Sequence, residues 1–239
     1  MNKLNTILAA ISALLMLTVT SANSVEFKAG VSANGMAAYA NAKETIKDGG
    51  RTTSEEAVLA TSFASVFAEI SSDEMMGLGI GISYAPEVAD LNKETRHISS
   101  SKNNDAAGTK ETAVAGIDTD GGVQSVDAKI NDLVSLYVTL PVGDTGAYLK
   151  AGYIQATMIT EESLATGSKY EDVDMTGTTI GGGYEGSLGD MAFWRAEGSM
   201  QMWEDISASG SEAGADGDKN VINAELGSVT GSLSVGMKF

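Results

Sequence analysis

The stretch Met76-Gly77-Leu78-Gly79-Ile80-Gly81-Ile82-Ser83-Tyr84 alternates without a break. Its even positions are Met, Leu, Ile, Ile and Tyr; its odd positions are Gly, Gly, Gly and Ser. Side chains alternate between the two faces of a strand, whereas a helix of 3.6 residues per turn would scatter both sets around its circumference. The segment is therefore a strand with one large apolar face and one face that is almost bare. The same device recurs downstream. In 126–140, Val126, Ala128, Ile130, Val134, Leu136, Val138 and Leu140 share one parity, with Asp127, Lys129, Asn131, Ser135, Tyr137 and Thr139 largely opposite. At the end of the chain Val229, Leu233, Val235, Met237 and Phe239 alternate with Ser and Lys.

Working outward, the pattern predicts eight strands at 25–42, 56–70, 75–87, 124–141, 145–158, 171–187, 190–204 and 220–239. In the second, Thr53-x-x-Glu56 also fits a helix capping box, and its apolar residues occupy both parities. A strand is favoured because the other seven need an even partner for closure. Short turns at 71–74, 141–145 and 187–190 alternate with long polar connections at 43–55, 88–123, 159–170 and 205–219. Both prolines, Pro86 and Pro141, stand at strand ends, where a missing ladder donor is tolerated. Residues 1–24 read as a secretory leader: Lys3, an apolar run from Ile7 to Val19, then small residues offering cleavage after Ala22 or Ser24.

Composition narrows the class. The chain has 239 residues, 28 Gly, no Cys, one His and a formal net charge of −17. Without Cys there is neither a disulfide scaffold nor a thiolate metal site. With this charge, nucleic acid is not an expected partner, since phosphate contact needs clustered Lys and Arg. Short turns at one end and long connections at the other point to a membrane barrel rather than a soluble one. Three patterns favour this. The Gly-rich face of 76–84 suits a crowded lumen. Charges of both signs (Lys28, Lys129, Lys150, Glu185, Arg195, Glu197) lie on the polar face. Aromatic residues on the apolar face gather near strand ends, with Phe27, Tyr184, Trp194 and Phe239 at one end and Tyr39 and Tyr84 at the other, as in interfacial girdles. The expectation is all-β: a closed, antiparallel, up-and-down eight-stranded transmembrane barrel over 25–239, with short periplasmic turns and long extracellular loops. Asp132, at lipid-face parity, is expected at the outer rim or in a bulge, and Trp203, at lumen parity, near a loop.

The terminal run Gly231-Ser-Leu-Ser-Val-Gly-Met-Lys-Phe239 resembles the C-terminal signature of bacterial outer-membrane proteins, carried here by Leu233, Val235, Met237 and Phe239. With the leader, LYVTLPVG (136–143) and GAYLKAGY (146–153), the chain resembles the small eight-stranded OmpA-like outer-membrane barrels over essentially all of 25–239. The resemblance implies location in the bacterial outer membrane and recognition of the last strand by the barrel-assembly machinery. It also implies contact with outer-membrane lipid and lipopolysaccharide.

No motif carries chemistry strongly. His97-Ile98-Ser99, with Glu94 nearby, is the one His/Ser pairing, and an outer-membrane lipid A deacylase family uses such a pair; there it sits on a strand, whereas His97 is expected in the longest loop. Asp118, Asp120, Glu171, Asp172, Asp174, Asp216 and Asp218 offer oxygen ligands but lack the spacing of a calcium loop. Gly181-Gly-Gly183 has no following Lys or helix and is no phosphate loop. No catalytic set, metal or cofactor is therefore expected, and the chain reads as a non-enzyme. The expected role is structural or surface-interacting, with an unidentified extracellular ligand and a lumen plugged by side chains. A narrow porin-like channel for small solutes is the alternative, and a lipid-modifying enzyme a remote one. Glu185, Arg195 and Glu197 share lumen parity and Lys150 points the same way, so Arg195 and Lys150 are expected to bridge to Glu185 or Glu197.

Overall fold

The computed structural model describes residues 25–46, 51–73, 76–97, 123–163, 170–213 and 219–239. The leader segment, Ile98 to Gly122 and the acidic residues at 118, 120, 216 and 218 lie outside the described residues. The strands are β1 (Val25–Ile46), β2 (Arg51–Ser72), β3 (Leu78–His97), β4 (Val123–Pro141), β5 (Ala147–Ser163), β6 (Val173–Ser187), β7 (Ala192–Trp203), β8 (Ile206–Ala213) and β9 (Lys219–Lys238). Each pairs antiparallel with the next, except that β7 and β8 both lie along β9. They are one barrel strand interrupted at Glu204 and Asp205, where Glu204 N–H donates to the Thr176 carbonyl at 2.8 Å. β9 pairs with β1 from Lys28↔Lys238 to Thr45↔Val221, so the sheet closes into an eight-stranded antiparallel barrel.

Closure of β9 on β1 pairs the two ends of the sheet, which is what backbone in hydrocarbon requires; the shortest seam is that of β2 with β3, paired from Val66↔Tyr84 to Ser72↔Leu78. The last residue takes part: Phe27 and Phe239 exchange backbone hydrogen bonds at 3.1 and 2.9 Å. Three short turns join the strands at one end, the periplasmic end in barrels of this type. In the first, Gly77 has φ +74° and donates its N–H to the Ser72 carbonyl at 2.9 Å. At the other end the strands run further than the sequence pattern indicates. β1 and β2 pair out to Ile46↔Arg51 and β3 and β4 out to His97↔Val123, so much of the expected connections 43–55 and 88–123 is strand. β8 likewise occupies part of 205–219. Polar composition hides these extensions, because strand above the membrane faces water on its outer side.

The exterior is apolar. Val31, Val66, Leu136, Leu149, Ile180 and Leu233 are all exposed on the outer surface. Exposed Trp194, Tyr184 and Phe239 stand toward the short-turn end, and exposed Tyr39 and Tyr153 toward the other. Along β1, Phe27 and Tyr39 are about 40 Å apart at ~3.3 Å per residue. At a tilt of about 40° that spans ~30 Å, the thickness of a hydrocarbon layer.

Two bulges decide what the lumen contains. β4 carries one extra residue between Asn131↔Thr157 and Val134↔Gln155, and β3 carries one between Glu87↔Asn131 and Ala89↔Ile130. Asp132 sits in the first with φ +55° and accepts a hydrogen bond from Tyr84 Oη at 2.6 Å. An extra residue reverses the parity beyond it. The expected shared face of 126–140 is therefore broken: Val134, Leu136, Val138 and Leu140 point outward, whereas Ile130 is buried with Val88 and Ala89 inside. Lys129, expected on the polar face, falls on the opposite side from Ile130.

Candidate functional site

The lumen is layered. At the short-turn end small residues on β3 clear space for large ones elsewhere. Gly79 and Gly81 leave room for Glu69 and Tyr137; a Cβ on Gly81 would lie 2.3 Å from the Tyr137 ring. Into this space project Arg195 from β7, Glu69 and Phe67 from β2, Glu185 from β6, Lys28 from β1, Tyr148 and Lys150 from β5, and Phe193 and Glu197 from β7. Arg195, 3% exposed, makes a bidentate pair with Glu69 (2.9 and 2.7 Å) and donates from Nε to Glu185 at 2.7 Å. Lys28 Nζ reaches the same Glu185 at 2.9 Å. Lys150 Nζ pairs with Glu197 at 2.9 Å and lies 4.1 Å from the centre of the Tyr137 ring.

Inside the lumen three cations and three carboxylates thus meet in two groups of zero net charge, and Lys28 also reaches the more exposed Glu26 at 3.1 Å, itself 3.9 Å from Lys238. A buried ion is costly unless paired and hydrogen-bonded, and the bidentate fork of Arg suits that requirement. The Arg195 guanidinium also lies 5.1–5.4 Å from the rings of Phe193, Phe67 and Tyr148, which cover its faces. Charge and aromatic surface thus meet in one layer of the lumen.

Above this lies a hydroxyl layer. Ser32 and Ser234 are hydrogen-bonded at 2.8 Å, Asn34 donates to Ser65 at 3.0 Å, and Gln201 accepts from Ser228 and Thr230 at 3.0 and 3.2 Å. Trp203 donates to Ser228 at 3.3 Å, so its indole points into the lumen. Higher still, an apolar collar receives residues from every strand, among them Met36, Phe63, Val88, Ile130, Met175, Ile206 and Leu226. A cavity of about 90 Å³ runs from Phe67, Tyr137 and the Lys150–Glu197 pair through the hydroxyl layer to the collar.

Of the four sequence-derived lumen residues, Arg195 and Glu185 stand together, as do Lys150 and Glu197. Glu69, the most deeply buried carboxylate, was not among them, nor was Lys28 assigned a partner. Leu233, Val235, Met237 and Phe239 lie exposed along the outer face of β9. His97 is the last residue of β3 rather than part of a loop; Ser99 lies outside the described residues. Glu171 and Asp172 are exposed, and Asp174 accepts from Thr157 at 3.1 Å. Among the described residues no cluster of three or more His, Asp or Glu is arranged to hold a metal ion.

A closed sheet with an apolar belt, interfacial aromatics and a polar lumen is built for a bilayer, and among the described residues no helix is long and apolar enough to cross one. Fold and exterior together define an integral β-barrel protein of the bacterial outer membrane. No protein-family model and no curated protein matches the chain. Among solved structures it is similar to the outer membrane protein OprG from Pseudomonas aeruginosa, at 12% identity over 90% of this chain and 95% of that one, with a TM-score of 0.49. It is also similar to the outer membrane protease OmpT from Escherichia coli (12% identity, 92% and 98% covered, TM-score 0.43). A third is Ail, the attachment invasion locus protein of Yersinia pestis (12%, 88% and 99%, TM-score 0.36), solved with the heparin analogue sucrose octasulfate.

Proposed function

We propose that this barrel is a non-enzymatic, non-conducting outer-membrane protein that acts through its presence in the membrane and the surface it presents to lipid, lipopolysaccharide and extracellular partners. The observation that carries the reading is the closure around Arg195. Its guanidinium is held by Glu69 from β2 and by Glu185 from β6, with the rings of Phe67, Tyr148 and Phe193 against it. An eight-stranded barrel is only wide enough for its own side chains, so a paired cluster of this size leaves no continuous aqueous path. The expected result in a planar bilayer is little or no steady current from the refolded protein. A large, steady current proportional to salt would replace this reading with that of a narrow channel for small solutes.

The outward row Leu233, Val235, Met237 and Phe239 is proposed to serve as the signal read by the barrel-assembly machinery. Phe239 also closes the sheet, through its backbone bonds to Phe27 and a ring contact with it at 6.1 Å between centroids. Phe239→Ala keeps the backbone bonds and the lumen but deletes the terminal ring. Lower outer-membrane levels with accumulation in the periplasm are expected by fractionation and immunoblot; wild-type levels would show the ring to be incidental to assembly.

A further inference from the structure

β2 and β3 share only the pairs from Val66↔Tyr84 to Ser72↔Leu78, yet both strands run well past that point. Just above it, side chains close the seam. Leu59 and Phe63 pack against the collar group that holds Ala85, Val88 and Ala89, and Thr61 Oγ1 donates to the Val88 carbonyl at 3.0 Å. Further up, the side of β2 turned away from β1 has no backbone partner among the described residues. Glu56, Ala57 and Val58 are exposed in succession, Val58 at 82%, so both faces of the strand are open there as well as one edge. Val58 pairs with Tyr39 of the outer girdle. Arg51 to Ala57 therefore stand above the membrane, about 23 Å of strand at ~3.3 Å per residue.

The two edges of the seam are unlike. β3 carries Pro86 and two register shifts, between Glu87 and Ala89 and between Leu91 and Glu94. Proline and bulges are devices that keep an edge from accepting another strand. β2 has neither: it holds no Pro or Gly and stays in unbroken register with β1 from Ser72 to Arg51. Every second residue of an antiparallel strand turns both its N–H and its C=O to the same side. The open side of β2 is therefore a regular row of donors and acceptors, held straight by β1. Extended polypeptide matches such a row.

We propose that the upper edge of β2, residues 51–58, is a docking site for an extended segment of an extracellular protein, which adds to the sheet as a further strand. With a formal net charge of −17 on the chain, the segment is neutral or basic rather than acidic. The inference deepens the proposed surface role and rests on it only in placing this edge outside the cell. Bilayer conductance tests the closed lumen separately.

The probe is a synthetic peptide with capped ends and the sequence of residues 38–46, AYANAKETI. As part of β1 this sequence already pairs antiparallel with 51–59 on the opposite edge of β2, and Lys43 and Glu44 balance its charge. Amide hydrogen exchange of the refolded protein in lipid nanodiscs is read residue by residue by NMR. Without peptide, the amides of 52–58 should fall into two alternating classes, one protected by β1 and one exchanging fast. Peptide should slow the fast class saturably and leave 85–97 unchanged. Two peptides N-methylated at alternate residues, in opposite phase, separate backbone pairing from side-chain contact. One should bind like the parent. The other should lose at least about tenfold in apparent affinity, the size of two backbone hydrogen bonds. Slow exchange throughout 52–58 before peptide is added would mean that the chain covers its own edge, and would overturn the proposal. So would equal binding of the two methylated peptides, protection at 85–97 in place of 52–58, or no protection at up to about 1 mM peptide.

Discussion

Arg195→Ala should destabilise the barrel by about 3–5 kcal/mol, the usual consequence of removing one partner from a buried ion pair. Two carboxylates, Glu69 and Glu185, would lose their guanidinium partner. Lys28, still 2.9 Å from Glu185, would offset part of the excess there, but Glu69 would face only rings and hydroxyls. Urea unfolding in detergent or vesicles, followed by the mobility difference between unheated and heated samples, reads the loss. The charge-neutral double variant Arg195→Met with Glu69→Gln should recover much of the stability, since a buried pair replaced by matched neutral groups is often nearly neutral in free energy. It should still raise bilayer conductance, because the bidentate bridge is gone. A double variant as unstable as Arg195→Ala would locate the cost in lost packing rather than in unpaired charge.

Gly81→Val should also impair folding. Even a Cβ at this position would approach two Tyr137 ring carbons and the phenolic oxygen at 2.3–2.5 Å. Overpacking typically costs about 1–3 kcal/mol, and this site is at the upper end because the Tyr137 ring is itself buried. The diagnostic is non-additivity. Tyr137→Ala alone opens a hole of the kind that costs about 3–5 kcal/mol for a large aromatic. Combined with Gly81→Val the two should cost less than their sum by at least about 1 kcal/mol, as residues in direct contact do. Additive effects would mean that the glycine serves the backbone and not the ring.

How far the structure was legible from sequence depends on whether one face or both were apolar. β3 and β9 were readable because their inward faces are Gly and Ser. β2 was not: Phe63 and Phe67 point in while Val58 and Val66 point out, so apolar residues sit on both parities. Glu69 went unrecognised as a lumen residue for that reason, although it lies two residues after Phe67 and hence on the same face. The charges at 185, 195 and 197 were visible because their neighbours are outward apolar or Gly. The apolar collar was invisible. It depends on two facing bulges, and nothing in a period-2 pattern records where an extra residue resets the count. Asp132 was the sole trace, a carboxylate at a lipid-face position. Its oddity marked the bulge but not that Val88 and Ile130 would turn inward beyond it.

The Arg195 cluster also has a bearing on the order of events during assembly. Apart from Arg195–Glu185, a cross-strand pair of the β6–β7 hairpin, its bonds join residues 126 apart in the chain (Glu69 and Arg195) and 157 apart (Lys28 and Glu185). The strands they connect, β2 with β7 and β1 with β6, are not neighbours in the sheet. No hairpin can form these contacts by itself. Until β9 meets β1, the six charged groups stay hydrated in an open groove, and an open sheet cannot settle in hydrocarbon. The cluster therefore acts as a latch that engages at the end. Contacts made after the rate-limiting step leave the folding rate nearly unchanged and chiefly slow unfolding. Its main contribution is to how long a finished barrel lasts, rather than to how quickly one is made.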